Sequence, residues 1–281
     1  MLALLALRSV EALIYCAICR NLHILRMKYL SYLLWPAIIS VPLYLTYLES
    51  NICAPFSLTG SSPCGLILGI VAVVVGQAFV LIYFHLYKRG YFGELICVQK
   101  KTTQKYDLWA ATVTHLSQPE GFVMLGGYLI GTWMFGLMPT SYYSFTGGIN
   151  WFHVALQLLI VDALQYIMHR LEHDFHRQLY IISHKPHHRY MNPKLFDAFD
   201  GSIGDTFLMI LVPLFVTAHL IHANVWSYMT FGSLYANWLC LIHSEYLMPW
   251  DGVFRSLGFG TSSDHHVHHA LHSYNYGHLF M

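Results

Sequence analysis

Four groups of histidines could do chemistry in this chain. His169 and His173 stand four residues apart in His-Arg-Leu-Glu-His, at the end of an apolar stretch. On a helix that spacing puts both imidazoles on one face, close enough to share a metal centre. His184, His187 and His188 follow in His-Lys-Pro-His-His, where Pro186 should break or restart the helix and bring the rings in from different directions. His243 is single, in His-Ser-Glu-Tyr-Leu-Met-Pro-Trp. His265, His266, His268 and His269 form the last group, with His272 beyond them and Asn275-Tyr-Gly277 after that. About seven to nine imidazoles exceed the four ligands of a tetrahedral zinc and suit two metals with open positions. Imidazole alone does not select iron over zinc. The case for iron is chemical: a lipid-embedded site without a nucleophile or hydrolytic apparatus is suited to unreactive C–H bonds, which need a redox-active metal and oxygen. Soluble di-iron bundles use repeated Glu-x-x-His pairs, and no such repeat occurs here.

Each group alone has a plainer reading. An i, i+4 histidine pair is common on helices, a basic loop beside a membrane holds histidines for lipid head groups, and a histidine-rich tract can buffer metals loosely. The plain readings do not explain why all four groups fall on one side of a membrane.

That side follows from the apolar segments. Hydrophobic residues make up 56% of the 281 and charged residues only 10%, against about 25% charged in soluble domains; the mean hydropathy is +0.47. The surface must face lipid. A net charge of +1 gives no sign of nucleic-acid binding. Leu30–Leu48 and Gly65–Tyr87 are long enough to span. The turn between them, Glu49–Pro63, holds no Lys or Arg, whereas the flanks Arg20–Lys28 and Lys88–Lys105 hold three and five. The positive-inside rule therefore places the flanks in the cytosol. Gly121–Met138 and Ile149–Met168 repeat the pattern around the uncharged Pro139–Gly148. Thr206–His222 and Val225–Ile242 form a third apolar pair, interrupted by Pro213, Gly232 and Asn237, either spanning or re-entrant. Met1–Cys19 reads as a signal-anchor, a surface helix or a tilted span.

The expected fold is thus all-α: a polytopic membrane protein of two helical hairpins plus a cytosol-facing, histidine-rich catalytic region. Residues 1–148 anchor it and residues 149–281 carry the chemistry, as one integrated domain. Cys16 and Cys19 read as helix packing, and Cys53 and Cys64 as a pair if their loop is lumenal. His85, His115, His153, His219 and His222 fall outside the four histidine groups; His153, His219 and His222 read as hydrogen-bonded helix histidines, or else as lining of a lipid pocket. His176 is left as an outer partner of the metal site, and Asp162, Glu172, Asp264 and Asn275 either orient ligand imidazoles or serve as solvated-surface or cap residues.

The spacing H-x3-H, H-x2-H-H, a later single His, and H-x2-H-H before N-Y-G resembles the fatty acid hydroxylase/sterol desaturase superfamily, over roughly Ile149 to the C-terminus. By that resemblance the metal ligands are His169, His173, His184, His187, His188, His243, His265, His268 and His269. It implies a non-haem enzyme of the endoplasmic reticulum membrane with two Fe ions and its active site facing the cytosol. It also implies use of O2 and electrons from NAD(P)H through cytochrome b5 and a reductase; with no His-Pro-Gly-Gly haem motif, that cytochrome is a separate partner. His243-Ser-Glu-Tyr-Leu-Met-Pro-Trp250 is similar to sterol C4-methyl oxidases and sterol 25-hydroxylases. His184-Lys-Pro-His-His188 and Tyr274-Asn-Tyr-Gly277 are similar to sterol C5-desaturases. Two features depart from the pattern: Leu247 stands where some members have a second His, and the chain stops at Met281, where the family continues through a Trp-Asp segment. The expected reaction is hydroxylation or desaturation of a lipid, a sterol first, a fatty acid or sphingolipid second. The rivals from other classes are a histidine-rich metal transporter, which would need ionisable groups along a path through the spans, and an inactive scaffold relative.

Overall fold

A computed structural model describes residues 80–280, apart from 83, 92, 93, 95, 100–106 and 145. The first expected hairpin, Met1–Cys19 and the Cys53/Cys64 pair lie outside the described residues, except that residues 80–82 and 84–88 are helical. Among the described residues there is no β-strand, only isolated bridges joining Cys97 to Tyr246 and Phe259 to Phe280.

Helix α1 (Leu108–Ser117) starts on Asp107, whose carboxylate accepts from the N–H groups of Trp109 and Ala110. A π-turn (Pro119–Val123) leads into α2 (Met124–Met134). This helix is shorter than the span expected over Gly121–Met138. Gly136 takes a left-handed φ of 62° and Pro139 follows, which together end the helix.

Helix α3 (Trp151–Asp174) is capped by Asn150 and is the longest element described. Its buried stripe is Val154, Gln157, Val161, Asp162, Gln165, His169 and Glu172, spaced by threes and fours. Trp151, Phe152, Leu159, Tyr166, Ile167 and Leu171 point outward. Polar groups inside and bulky apolar groups outside invert the pattern of a helix in water; such a helix suits lipid, with its polar residues turned to the protein interior. Helix α4 (Arg177–Ile182) begins on His176, whose Nδ1 accepts from the N–H of Gln178. A short 3₁₀ turn (His187–Arg189) follows Pro186.

Helix α5 (Ile203–Leu220) is continuous through a π segment at Thr206–Leu211. Pro213 does not break it. Pro213 has no N–H for the carbonyl of Met209 four residues earlier, and that carbonyl instead accepts from Gln165 Nε2 at 2.7 Å. Helix α6 (Val225–Ile242) starts on Asn224 after a tight turn, so α5 and α6 form an antiparallel pair packed on α3. Helices α3 and α5 are each long and apolar enough to cross a membrane. Helices α7 (Asp251–Ser256) and α8 (Ser262–Leu271) complete the histidine-bearing end.

Candidate metal centre

Helical geometry sorts the histidines. His169 and His173 share one face of α3, His265 and His269 one face of α8, and His184 and His188 are likewise four apart across Pro186. A neighbouring residue on a helix points roughly 100° away, so His187 leaves His188 and His268 leaves His269. The result is two groups. The ring nitrogens of His169, His173, His184, His188 and His268 lie within 4.8 Å of one another, and those of His187, His243, His265 and His269 do the same. All nine histidines expected as ligands fall in these groups, and each H-x2-H-H run serves both.

The tautomers follow from acceptors. His169 Nδ1 faces the Tyr276 carbonyl at 2.8 Å, His268 Nδ1 the Tyr274 carbonyl at 2.8 Å, and His243 Nδ1 the Leu239 carbonyl at 2.7 Å. His184 Nδ1 faces a carboxylate oxygen of Asp205 at 2.7 Å. Carbonyls and carboxylates only accept, so these Nδ1 atoms carry the hydrogen and each Nε2 keeps its lone pair. Yet the Nε2 atoms meet: 2.9 Å between His169 and His184, 3.0 Å between His268 and His188, 2.9 Å between His243 and His265, and 3.4 Å between His243 and His187. In the His169–His184 pair both Nε2 atoms carry lone pairs, and lone pairs do not hydrogen-bond to one another. Imidazoles sharing a cation at about 2.1 Å would stand about 3.0 Å apart at right angles and 3.4 Å apart in a tetrahedron. The donor set fits two metal ions.

Burial keeps the donors uncharged. It pushes His184 down to about 3, with the neighbouring His272 adding to the shift, and lowers His188, His243, His265 and His269, with adjacent imidazoles adding to the effect. His187 is lowered by burial too, against a partial opposing pull from Asp205. Neutral rings are what metal binding requires. The His184–Asp205 contact is accordingly a hydrogen bond from a neutral ring. Glu172 lies 3.7 Å from the same Nδ1 and accepts from the Ser183 hydroxyl. His187 Nδ1 reaches the Asp200 carbonyl at 3.4 Å, and the Asp200 carboxylate accepts from Gln118, Tyr190 and Arg189.

Other expected partners sit elsewhere. Asp162 orients no imidazole; its carboxylate accepts from the backbone N–H groups of His278, Leu279 and Phe280 at 3.1, 2.6 and 3.1 Å. Asp264 caps α8 and pairs with Arg255, while Asn275 donates to the Asp264 carbonyl. His266 turns from both groups to Gln99 at 3.0 Å. His272 is the left-handed C-cap of α8, and Leu247 joins the Ile96 carbonyl through its backbone. His115 is buried against Phe196, and His219 bonds the Phe215 carbonyl.

One residue escaped the sequence reading. His278 is buried, its ring stacked 5.2 Å from His169 and 5.3 Å from His265, so it touches both groups. The Asp162 clasp fixes its backbone, and Gly260 lets the segment approach closely, since a Cβ there would meet the His278 carbonyl at 2.9 Å. The only signal was a lone histidine directly after Asn-Tyr-Gly.

Fold and site together describe a helical protein with membrane-type helices and a histidine-rich centre able to hold metal. The fatty acid hydroxylase family matches residues 154–281, which include every histidine of the centre. An alternative squalene epoxidase of Phaeodactylum tricornutum is 52% identical over 269 residues, 89% of this chain and 76% of that protein. A lathosterol oxidase of Rattus norvegicus is 33% identical over 137 residues, 47% of this chain and 44% of its own length. A delta(7)-sterol 5(6)-desaturase of Gibberella zeae is 31% identical over 136 residues, 47% of this chain and 40% of its own. The chain belongs to the fatty acid hydroxylase/sterol desaturase superfamily. No solved structure matches it.

Proposed function

We propose that the chain is a membrane oxidoreductase in which His169, His173, His184, His188 and His268 hold one iron and His187, His243, His265 and His269 another. Its reaction is the epoxidation of a double bond in a linear isoprenoid, squalene or a close analogue. The observation that carries the reading is the convergence of imidazole nitrogens in two sets; the likeness to the squalene epoxidase, which runs through nearly the whole chain, directs it to that substrate. Bound iron supplies the stepwise reduction of oxygen that imidazoles cannot perform. The chain's residues fix the imidazoles through Tyr276, Tyr274, Leu239 and Asp205, keep them neutral by burial, and exclude water. One oxygen atom enters the product; the other leaves as water with two electrons and two protons. The electrons come from NAD(P)H through a separate cytochrome b5 and reductase, and the centre faces the cytosol from the endoplasmic reticulum membrane.

A second reading, hydroxylation or desaturation of a sterol, draws on the lathosterol oxidase and the sterol desaturase. One experiment separates the readings. Purified protein is assayed for iron, then supplied with ¹⁸O2, an electron-donor system and either squalene or a Δ7 sterol. Two irons per chain and one ¹⁸O atom in a squalene epoxide are expected. An unlabelled sterol alkene would mean desaturation, a labelled sterol alcohol hydroxylation. Zinc alone, or no metal, would sink both and leave the inactive relative.

A further inference from the structure

Two cavities meet at one side chain. The first is a chamber of about 610 Å³, counting its open mouth, between α2, α5 and α6. Leu129, Trp133, Leu214, Tyr228 and Gly232 are among its walls, which are almost wholly apolar. The second, of about 210 Å³ counting its open side, lies between α3, α6 and the segment carrying His278. Leu158, Val161, Trp238 and His278 border it. Tyr235 lines both.

The second chamber also sits directly above the metal centre. Gln165 and Leu239 wall it, and each precedes a centre histidine, His169 or His243, by four residues. Four residues of helix rise about 6 Å. His278, at one edge of this chamber, stacks on His169 and touches His265. The large chamber runs up α6 as far as Tyr228, and its other end is walled by Phe199, the residue before Asp200. Tyr235 therefore stands between the large apolar chamber and the small one that borders the histidine centre. It is held there: Gln165 Nε2 donates to its hydroxyl and also to the Met209 carbonyl, for which Pro213 has no N–H, so α3, α5 and α6 are tied at this point.

We propose that the two chambers are one substrate path, that Tyr235 is the partition in it, and that the occupant is a flexible linear isoprenoid whose reacting end passes Tyr235 to lie beside His278. The proposal rests on the reading of the chain as a lipid oxidase. A flexible chain can bend through a neck one side chain wide, while a rigid fused-ring sterol cannot. The large chamber has almost no polar wall to receive a sterol hydroxyl, since the Tyr235 hydroxyl is already engaged by Gln165. Tyr235 and Gln165 thus set specificity without touching metal.

The test uses the full chain in nanodiscs and a linear triterpene hydrocarbon with a terminal diazirine, photolysed and mapped by mass spectrometry. Wild-type protein should be labelled in both chambers, including Leu158, Val161 or Trp238. Tyr235→Trp fills the neck: labelling of the large chamber should persist, while labelling of the small chamber and squalene turnover both fall by at least about tenfold at unchanged iron content. Tyr235→Ala removes the partition and should keep the small chamber labelled while the product spreads over more than one double bond. Three results would overturn the path: wild-type labels confined to the large chamber, a Tyr235→Trp variant that labels and turns over like wild type, or a rigid sterol diazirine labelling the small chamber as strongly. If the labelling pattern holds but the iron-loaded protein oxidises no isoprenoid, the path stands and the proposed reaction falls.

Discussion

The two histidine groups differ in number and in support. The first has five rings, three of them backed at Nδ1 by the Tyr276 carbonyl, the Tyr274 carbonyl or Asp205, with Glu172 close behind, while the buried Nδ1 of His188 has no partner among the described residues. The second has four rings; His243 is firmly backed, His187 more distantly, and the buried Nδ1 atoms of His265 and His269 have no partner among the described residues. Outer partners of this kind typically hold 10–100-fold of metal affinity. On that ground the first group would hold a metal more firmly than the second.

The largest effect should come from the first group. His184→Ala removes a ring donor and strands Asp205 and Glu172 without it, so iron at that group and turnover should both be lost, the latter by more than about 10³-fold, beyond what outer partners alone command. Iron analysis and squalene turnover read this directly. His265→Ala should instead leave one iron per chain, the one in the first group. Equal loss from both variants would break the comparison. Next, a strong iron chelator should remove metal in two phases, the faster from the second group; a single phase would show that the groups are equally firm. Asp205→Asn keeps the shape but weakens the partner of His184 Nδ1, and should speed only the slow phase, by about 10–100-fold. The smallest effect is expected for His278→Gln, which touches both groups without belonging to either: iron content unchanged, turnover reduced by up to about tenfold.

Much of the site was legible because helical spacing is local. The pairs His169/His173 and His265/His269 follow directly from four-residue repeats, whereas the caps at Asn150 and Asn224 emerged only in the structure. The division of the nine rings was not legible. It depends on how α3, α6, α8 and the turn after Pro186 face one another, which no single stretch encodes. Pro213 read as an interruption, yet the helix continues, because a side chain from α3 takes up the carbonyl it frees. Asp162 read as a partner for imidazole, and its actual partners lie 116 to 118 residues further along. Such a long-range bond leaves no trace in local pattern. His278 was missed for the same reason: its meaning comes from the clasp that places it.

That clasp sets an order of events at the ribosome. Asp162 lies on a helix that suits the lipid phase, and it must enter the bilayer region before its three amide donors exist. At about 5–20 residues per second, roughly 6 to 23 seconds separate the synthesis of Asp162 from that of His278. For that interval a carboxyl group in α3 has no native partner, so the nascent protein needs water, a neighbouring helix or the insertion machinery to shelter it. Once the chain reaches Phe280, those amides meet the carboxyl and the neighbouring Tyr276 carbonyl faces His169 in the first group.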